Sequence, residues 1–196
     1  DGAVDDSHMA AMAASKLTGA LPAISGASLT TMPTGSVLQV VCANKTDTWS
    51  QGQSGNSLSG SNVTGLTPSI TPSSSSNKIL VIVNANLSCS TATGTADVDI
   101  GFAIHSSDGY RGIGAVDGNR TRLSALTHHT NLNGQQNVSM HFLDSPGTTS
   151  AHTYSIRLFN GGGGTNTIYL NRGGGDGNSA DTGRTTSSVT LMEIAG

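Results

Sequence analysis

Glycoside cleavage needs a pair of carboxylates held at a fixed separation, and the chain offers one close pair. Asp97 and Asp99 stand two apart in A-D-V-D-I-G-F, so strand alternation puts both on one face and Val98 and Ile100 on the other. That placement suits a solvated face or a cross-strand partner better than a catalytic dyad. The one glutamate, Glu193, lies near the chain end. Aromatic rings for stacking on sugars are few: Trp49, Tyr110, Tyr154, Tyr169 and three Phe. No catalytic residue is expected, and the chain is expected not to be an enzyme.

Histidine raises the question of metal. His128 and His129 are consecutive, which on a strand sends them to opposite faces. His141 and His152 flank S-P-G and are expected to be neighbours across a hairpin, with His105 ending the strand before them. Threefold symmetry could bring one His per chain to an axial ion, but H-x-H and HExxH spacings are absent, and polar or packed imidazoles explain these residues better. Asp176-Gly177-Asn178 followed by Asp181 has the turn residues of a Ca²⁺ loop without its full ligand spacing or terminal Glu. No metal ion and no cofactor are expected. Cys42 and Cys89 sit in apolar strand contexts and read as buried reduced thiols, a single disulfide being the alternative.

Recognition chemistry is left. Binding a sugar takes a planar apolar face with carboxylate, amide or guanidinium partners for its hydroxyls, and Asp108, Tyr110 and Arg111 supply that set within four positions. Three segments are expected to form the exposed tip: Ser106–Arg122, Leu126–Gln135 and Asn171–Arg184. They carry most of the arginine, and the candidate receptor-binding residues are Asp108, Tyr110, Arg111, Arg120, Arg122 and Arg184. Ion pairs between subunits, with Asp97, Asp117 or Asp181, are an equal reading of the same arginines.

Such loops need a scaffold, and the composition says which kind. Of 196 residues only 11% are charged and 4% aromatic, while 26 are Gly, a balance that favours short strands joined by tight turns. The organising strand is K-I-L-V-I-V-N-A-N-L, Lys78–Leu87. Ile79, Val81, Val83, Ala85 and Leu87 point one way; Leu80 and Ile82 point the other and call for a second sheet or a neighbouring subunit. Further strands are expected over Val37–Ala43, Val63–Ile70, Ala96–His105, Gln136–Asp144, Thr153–Asn160, Thr165–Asn171 and Ser188–Ile194. Together they describe an all-β, antiparallel jelly-roll or β-sandwich head.

Ahead of the head, Asp5–Lys16 has the caps and spacing of a short helix. Leu17–Gly35 carries spaced Leu, Ile and Met between prolines and reads as an extended segment wound with copies of itself, or else as a linker. The expected domains are a stalk or neck over 1–34 and the head over 35–196. A net charge of −3 without a basic stripe makes nucleic acid an unexpected partner, and no apolar run is long enough to insert in a membrane. The acidic start lacks the features of a secretory signal, and Asp1 in place of Met is expected of the end of a longer polypeptide.

A stalk reading K-L-T-G-A-L-P-A-I-S-G-A-S-L-T before a head opening G-S-V-L-Q-V-V resembles the distal C-terminal region of tail fibres of tailed bacteriophages, particularly marine and cyanobacterial phages. Leu66–Val81, Phe142–Tyr154 and the closing V-T-L-M-E-I-A-G match in the same order. The resemblance implies a homotrimer assembled in the host bacterial cytoplasm and carried on the virion. Its tip would attach to a host cell-surface glycan or envelope protein, and its N-terminal side would meet other phage tail proteins. The alternative in another class is a structural virion protein, a capsid decoration or tail-assembly component making only protein contacts. A depolymerase is the third reading.

Overall fold

The computed structural model describes residues 33–90, 97–131 and 134–196, which belong to one compact unit that runs from Pro33 to Gly196. The expected helix over Asp5–Lys16 and nearly all of the expected wound segment over Leu17–Gly35 lie outside the described residues. Among those described are twelve strands: β1 (Val37–Lys45), β2 (Trp49–Gln53), β3 (Ser57–Leu58), β4 (Ser69–Ile70), β5 (Lys78–Ser90), β6 (Val98–Ser106), β7 (Gly109–Arg111), β8 (Ala125–His129), β9 (Gln136–Asp144), β10 (His152–Asn160), β11 (Asn166–Leu170) and β12 (Ser187–Ile194). The all-β reading holds, and every strand pair is antiparallel.

Two six-stranded sheets close on one apolar core. In the first, β5 is central. Its Ile79–Leu87 stretch pairs with β9 along one edge, while the other edge is shared end to end by β12, over Lys78–Asn84, and β11, over Leu87–Ser90. β1 extends the sheet beyond β12, and β2 beyond β11. The second sheet is built on β10 and β6, with β3 and β4 along the free edge of β10 and β7 and β8 along that of β6. Ile79, Val81, Val83, Ala85, Leu87 and Cys89 of β5 face Ile100, Phe102 and Ile104 of β6 and Tyr154, Ile156 and Leu158 of β10 across that core. The alternation of Lys78–Leu87 predicted the inward set.

Four expectations are corrected. Val63–Ile70 is not a continuous strand: Val63 donates to Ile156 O and Pro68 accepts from Tyr154 N, so the segment lines β10 irregularly, with ladder pairing only at β4. Pro68 explains why, since it has no N–H to give. His141 and His152 are not hairpin neighbours, because β9 and β10 belong to different sheets. Cys42 is exposed on β1 and only Cys89 is buried; both are free thiols. Finally, β2, β3, β7 and β8 lie where no strand was expected.

Sharing an edge between two strands leaves a joint, and Asn171 fills it. Fully buried at the end of β11, it adopts a φ of 63°, which Asn tolerates better than most residues. Its N–H donates to Asn86 O at 2.9 Å, and its Nδ2 donates to Lys45 O at 2.8 Å and Asp47 O at 2.9 Å. Its Oδ1 accepts from Ser187 Oγ at 2.6 Å, and Ser187 Oγ in turn accepts from Asn86 N at 3.0 Å. One side chain thus ties the β1–β2 corner, β5 and the start of β12.

Glu193 performs a similar service at the opposite end of β12. Its buried carboxylate accepts from Asn77 Nδ2 at 2.5 Å, Gln39 Nε2 at 2.6 Å, Ser73 N at 2.6 Å and Ser73 Oγ at 2.8 Å. Burial pushes its pKa up, but these donors outweigh burial and hold it below the usual carboxylate range.

Replacing Asn171 with Ala removes the side-chain bonds and leaves the backbone in a conformation Ala disfavours. Unfolding by urea should show a loss of about 3 kcal/mol or more, the sum of unpaired buried carbonyls and backbone strain. Asn171→Gly, which tolerates the conformation, should lose less; equal losses in the two variants would remove the backbone from the account.

Candidate recognition site

Ser106 closes the β6–β7 turn, its Oγ donating to Gly109 O at 3.2 Å and accepting from Asp108 N at 3.2 Å. Asp108 and Arg111 therefore project from one tight hairpin and pair at 3.3 Å. Arg111 also lies 3.5 Å from Asp144 at the end of β9. Asp144 is buried and accepts from Tyr154 Oη at 2.7 Å; burial, then that bond, push the Tyr154 phenol well above its ordinary pKa. The Asp108–Arg111 pair is thus anchored to the core at one end of the two sheets.

Tyr110 points to the outer face of the second sheet and is held by Arg157. The guanidinium lies 5.6 Å from the ring centroid and donates to Tyr110 Oη at 3.3 Å, while Arg157 Nε donates to Asn62 Oδ1 at 3.1 Å. His105 packs edge-on against the ring at 5.1 Å. Burial, then the Arg157 charge, lower the His105 pKa. The Tyr110 ring is thereby engaged by its own chain while the residue remains 36% exposed.

Beyond Arg111 the chain leaves the sheet at Gly112, where φ is 56° and a Cβ would stand 2.8 Å from the Phe142 ring. It returns at Ser124, whose N–H donates to Phe102 O at 2.9 Å and whose Oγ accepts from Ile104 N at 2.8 Å. Between those anchors Gly114 N donates to Leu123 O at 3.1 Å and Arg122 Nε to Gly114 O at 2.6 Å, closing the base of the loop. Thr121 Oγ1 reaches Asn56 O, at 3.4 Å, beside β3 on the far edge of the sheet. The loop is therefore laid over the outer face, where Ala103 and Phe159 are buried although they do not belong to the shared core.

This loop and β8 enclose an open recess of about 440 Å³, with Leu123, Ala125 and Leu126 as its apolar part and Asp117, Arg120 and Arg122 as its polar part. Arg120 pairs with Asp117 at 2.7 Å on the exposed rim. Arg122 spends Nε on a carbonyl and, among the described residues, has no carboxylate partner. What the arrangement can do is accept an anion beside an apolar surface.

The sequence-predicted residues thus separate into groups. Asp108 and Arg111 form one pair, Tyr110 belongs to Arg157, and Arg120 and Arg122 line the recess. Arg184 lines another recess of about 400 Å³ in the β11–β12 loop, bonded to Asp176, which Arg172 also holds at 3.1 Å. The hydrogen bond from Arg184 holds the Asp176 carboxyl below its usual range. The partners of Arg120 and Arg184 thus lie in the same chain. Sequence reasoning missed Leu123 to Ala125 of the recess, which fall between two expected tip segments, and missed Arg157. The latter had a signal: in T-Y-S-I-R-L-F-N an alternating strand must turn Arg157 away from the core.

Asp97 and Asp99 meet the cross-strand partner expected of them. His128 lies between them, Nε2 2.8 Å from Asp97 and Nδ1 2.9 Å from Asp99, and the bonds to Asp99 and then Asp97 raise its pKa. His129 faces inward as alternation requires, fully buried with neither ring nitrogen hydrogen-bonded. Among the described residues no group of three His, Cys, Asp or Glu side chains is placed to hold a metal ion.

Burial, then the His128 charge, lower the His129 pKa from the ordinary 6.5. The unfolded chain therefore takes up that proton first, so His129 contributes stability above about pH 6.5 that is lost as pH falls toward its folded-state value. His105 acts in the same direction, and exposed His128, its pKa raised, acts in the opposite one. Melting temperature measured from pH 7.5 to 5.5 should fall, and His129→Leu should flatten that fall. An unchanged slope in the variant would remove His129 as its cause.

No known protein family matches the chain, and no curated protein matches it.

Proposed function

We propose that this chain is the receptor-binding tip of a bacteriophage tail fibre, a homotrimeric jelly-roll head that attaches the virion to an acidic glycan on the host surface without cleaving it. The observation that carries the reading is the recess under the 112–124 loop, where Arg122 presents a guanidinium that has no carboxylate partner among the described residues, beside the apolar Leu126. A carboxylate or sulfate group answers the guanidinium, and the carbon face of a sugar answers the apolar floor. The dyad residues Asp97 and Asp99 are both engaged by His128, which supports binding over hydrolysis.

Topology supports the jelly-roll part. With β1, the 57–70 segment, β5, β6, β7 with β8, β9, β10 and β12 lettered A to H, the sheets run A-H-C-F and B-G-D-E, with β2 and β11 as additions. That order is the one produced by two interlocked Greek keys. The sequence resemblance supplies the virion and the number of copies. The second reading, a structural virion protein that makes only protein contacts, draws on the outward row Leu143, Leu80, Met192 and Val40 of the first sheet, whose two end residues are exposed.

The test is retention on an array of neutral and acidic bacterial surface polysaccharides. The unmodified chain should be held by acidic glycans, and Arg120→Ala with Arg122→Ala should weaken that binding by roughly 10- to 100-fold, one to two charge-assisted hydrogen bonds, with the melting temperature unchanged. Arg184→Ala should have little effect. Equal binding by the double variant would move the site elsewhere, and cleavage of any glycan would restore the depolymerase reading.

A further inference from the structure

The outward side of β5 alternates with its buried side, and its partners continue the pattern in register. Leu143 of β9, Leu80 of β5, Met192 of β12 and Val40 of β1 form one row across four strands. The next row is His141, Ile82, Thr190 and Cys42, and the one after it is Ser139, Asn84, Ser188 and Asn44. Ile194 and Val37 lie beyond the first row, beside Lys78. One end of the face is therefore apolar and the other amide and hydroxyl, where Asn137 Nδ2 donates to Asn84 Oδ1 at 2.5 Å and Asn86 Oδ1 at 3.1 Å.

Elsewhere the chain covers such surfaces itself. Over the β2–β11 half of this sheet, the Arg172 guanidinium stacks 4.3 Å from the Tyr169 ring, and Ser88 Oγ holds Arg172 O at 2.5 Å. Over the second sheet lie Arg157 and the 112–124 loop. The β9–β5–β12–β1 half has no such cover among the described residues: Val40 is 55% exposed and Leu143 48%.

From this bare half we infer the contact between copies of this chain, each first sheet set against its neighbours through the Leu143–Leu80–Met192–Val40 row. The inference rests on the trimeric part of the function proposed above and names its interface. Charge argues for it: the face carries no Asp, Glu or Arg, and Lys78 stands at its end. Identical surfaces brought together therefore meet no like-charge row, and interface cores are depleted of charge. Size agrees. Four strands about 4.8 Å apart and three rows about 6.8 Å apart give an apolar and mixed patch on the order of 400 Å², about half of what one partner buries in a standard interface. The Asn and Ser rows supply the polar remainder.

Chain position argues for it as well. Gly35 N donates to Ala195 O at 2.8 Å and Ala195 N to Ser36 O at 2.9 Å, so the described chain begins beside Val37 and Ile194 at the apolar end of the face. In the sequence 32 residues precede Pro33. Copies joined through this face bring those starting points together, as a common stalk requires. A hollow of about 230 Å³ lined by Ile82, Asn84, Ser139 and His141 gives a neighbour's side chain a place to enter.

Light scattering on the full chain tests the interface. The unmodified protein should have a mass several times its 19.7 kDa. Val40→Lys combined with Leu143→Lys changes exposed positions the fold does not need, and should weaken self-association roughly a hundredfold or more while far-UV circular dichroism stays the same. Met192→Glu is the second variant, placed at the middle of the row. A single-chain mass for the unmodified protein overturns the inference, as does an oligomer that persists in both variants. An oligomer that dissociates in the variants but ignores every glycan leaves this interface standing and removes the attachment reading. Glycan binding by a protein that is a single chain does the reverse.

Discussion

Asn171 holds the joint on which the first sheet depends. A strand as long as β5 offers more edge than any partner in this chain covers, so β12 and β11 share it end to end. Wherever two strands abut, backbone groups lose their ladder partners, and at a buried position each orphan is expensive. Asn has a donor and an acceptor on a short side chain and tolerates a positive φ, so it can turn the chain out of β11 while bonding Lys45, Asp47 and Ser187. The 171–186 loop can then leave and return without opening the sheet. Glu193 applies the same logic to the 71–77 loop, with a carboxylate as the hub.

Both hubs use neutral donors, and that choice bears on where charge is left over. With few ionisable groups, the chain spends its arginines locally: Arg111 on Asp108 and Asp144, Arg120 on Asp117, Arg172 and Arg184 on Asp176. The exposed pair Arg120–Asp117 adds little stability. The effect of these pairs is to fix loop shape and to cancel field, so that Arg122 stands out at the recess by contrast rather than by strength.

The long alternating runs were legible in the sequence because period-two burial is a property of the strand itself. β9 is found at its predicted bounds, and β5, β10 and β12 at theirs within a few residues. β2, β7 and β8 were not legible, since W-S-Q-G-Q and G-Y-R have turn-like composition and A-L-T-H-H is too short to show a clear alternation; each pairs along an edge that a neighbouring strand offers. The site was legible in part. Composition pointed to the arginine-bearing turns, and five of the six candidate residues do lie in one segment of chain, 106–122. Which arginine keeps its charge free could not be read, because the Asp117–Arg120 and Asp176–Arg184 pairs are products of loop closure. Asn171, in N-R-G-G-G, reads as an ordinary turn residue until the two strands are seen to meet there.

The bare face and the arginine recess lie on opposite sides of the core, one on the outside of the first sheet and the other on the outside of the second. That separation matters for the proposed assembly. Copies packed through the first sheet would leave every second sheet facing outward, so self-association would consume none of the recognition surface. On the proposed function, one open recess with the Arg122 guanidinium would hold a sugar only weakly, and three on a rigid support would change the arithmetic. In such an assembly, once a first glycan was engaged the others would bind at an effective concentration set by spacing, which raises avidity by roughly two to four orders of magnitude without a new contact. A shallow polar recess, ill-suited to tight binding by one copy, is then adequate for a head that presents it several times on a repeating polymer.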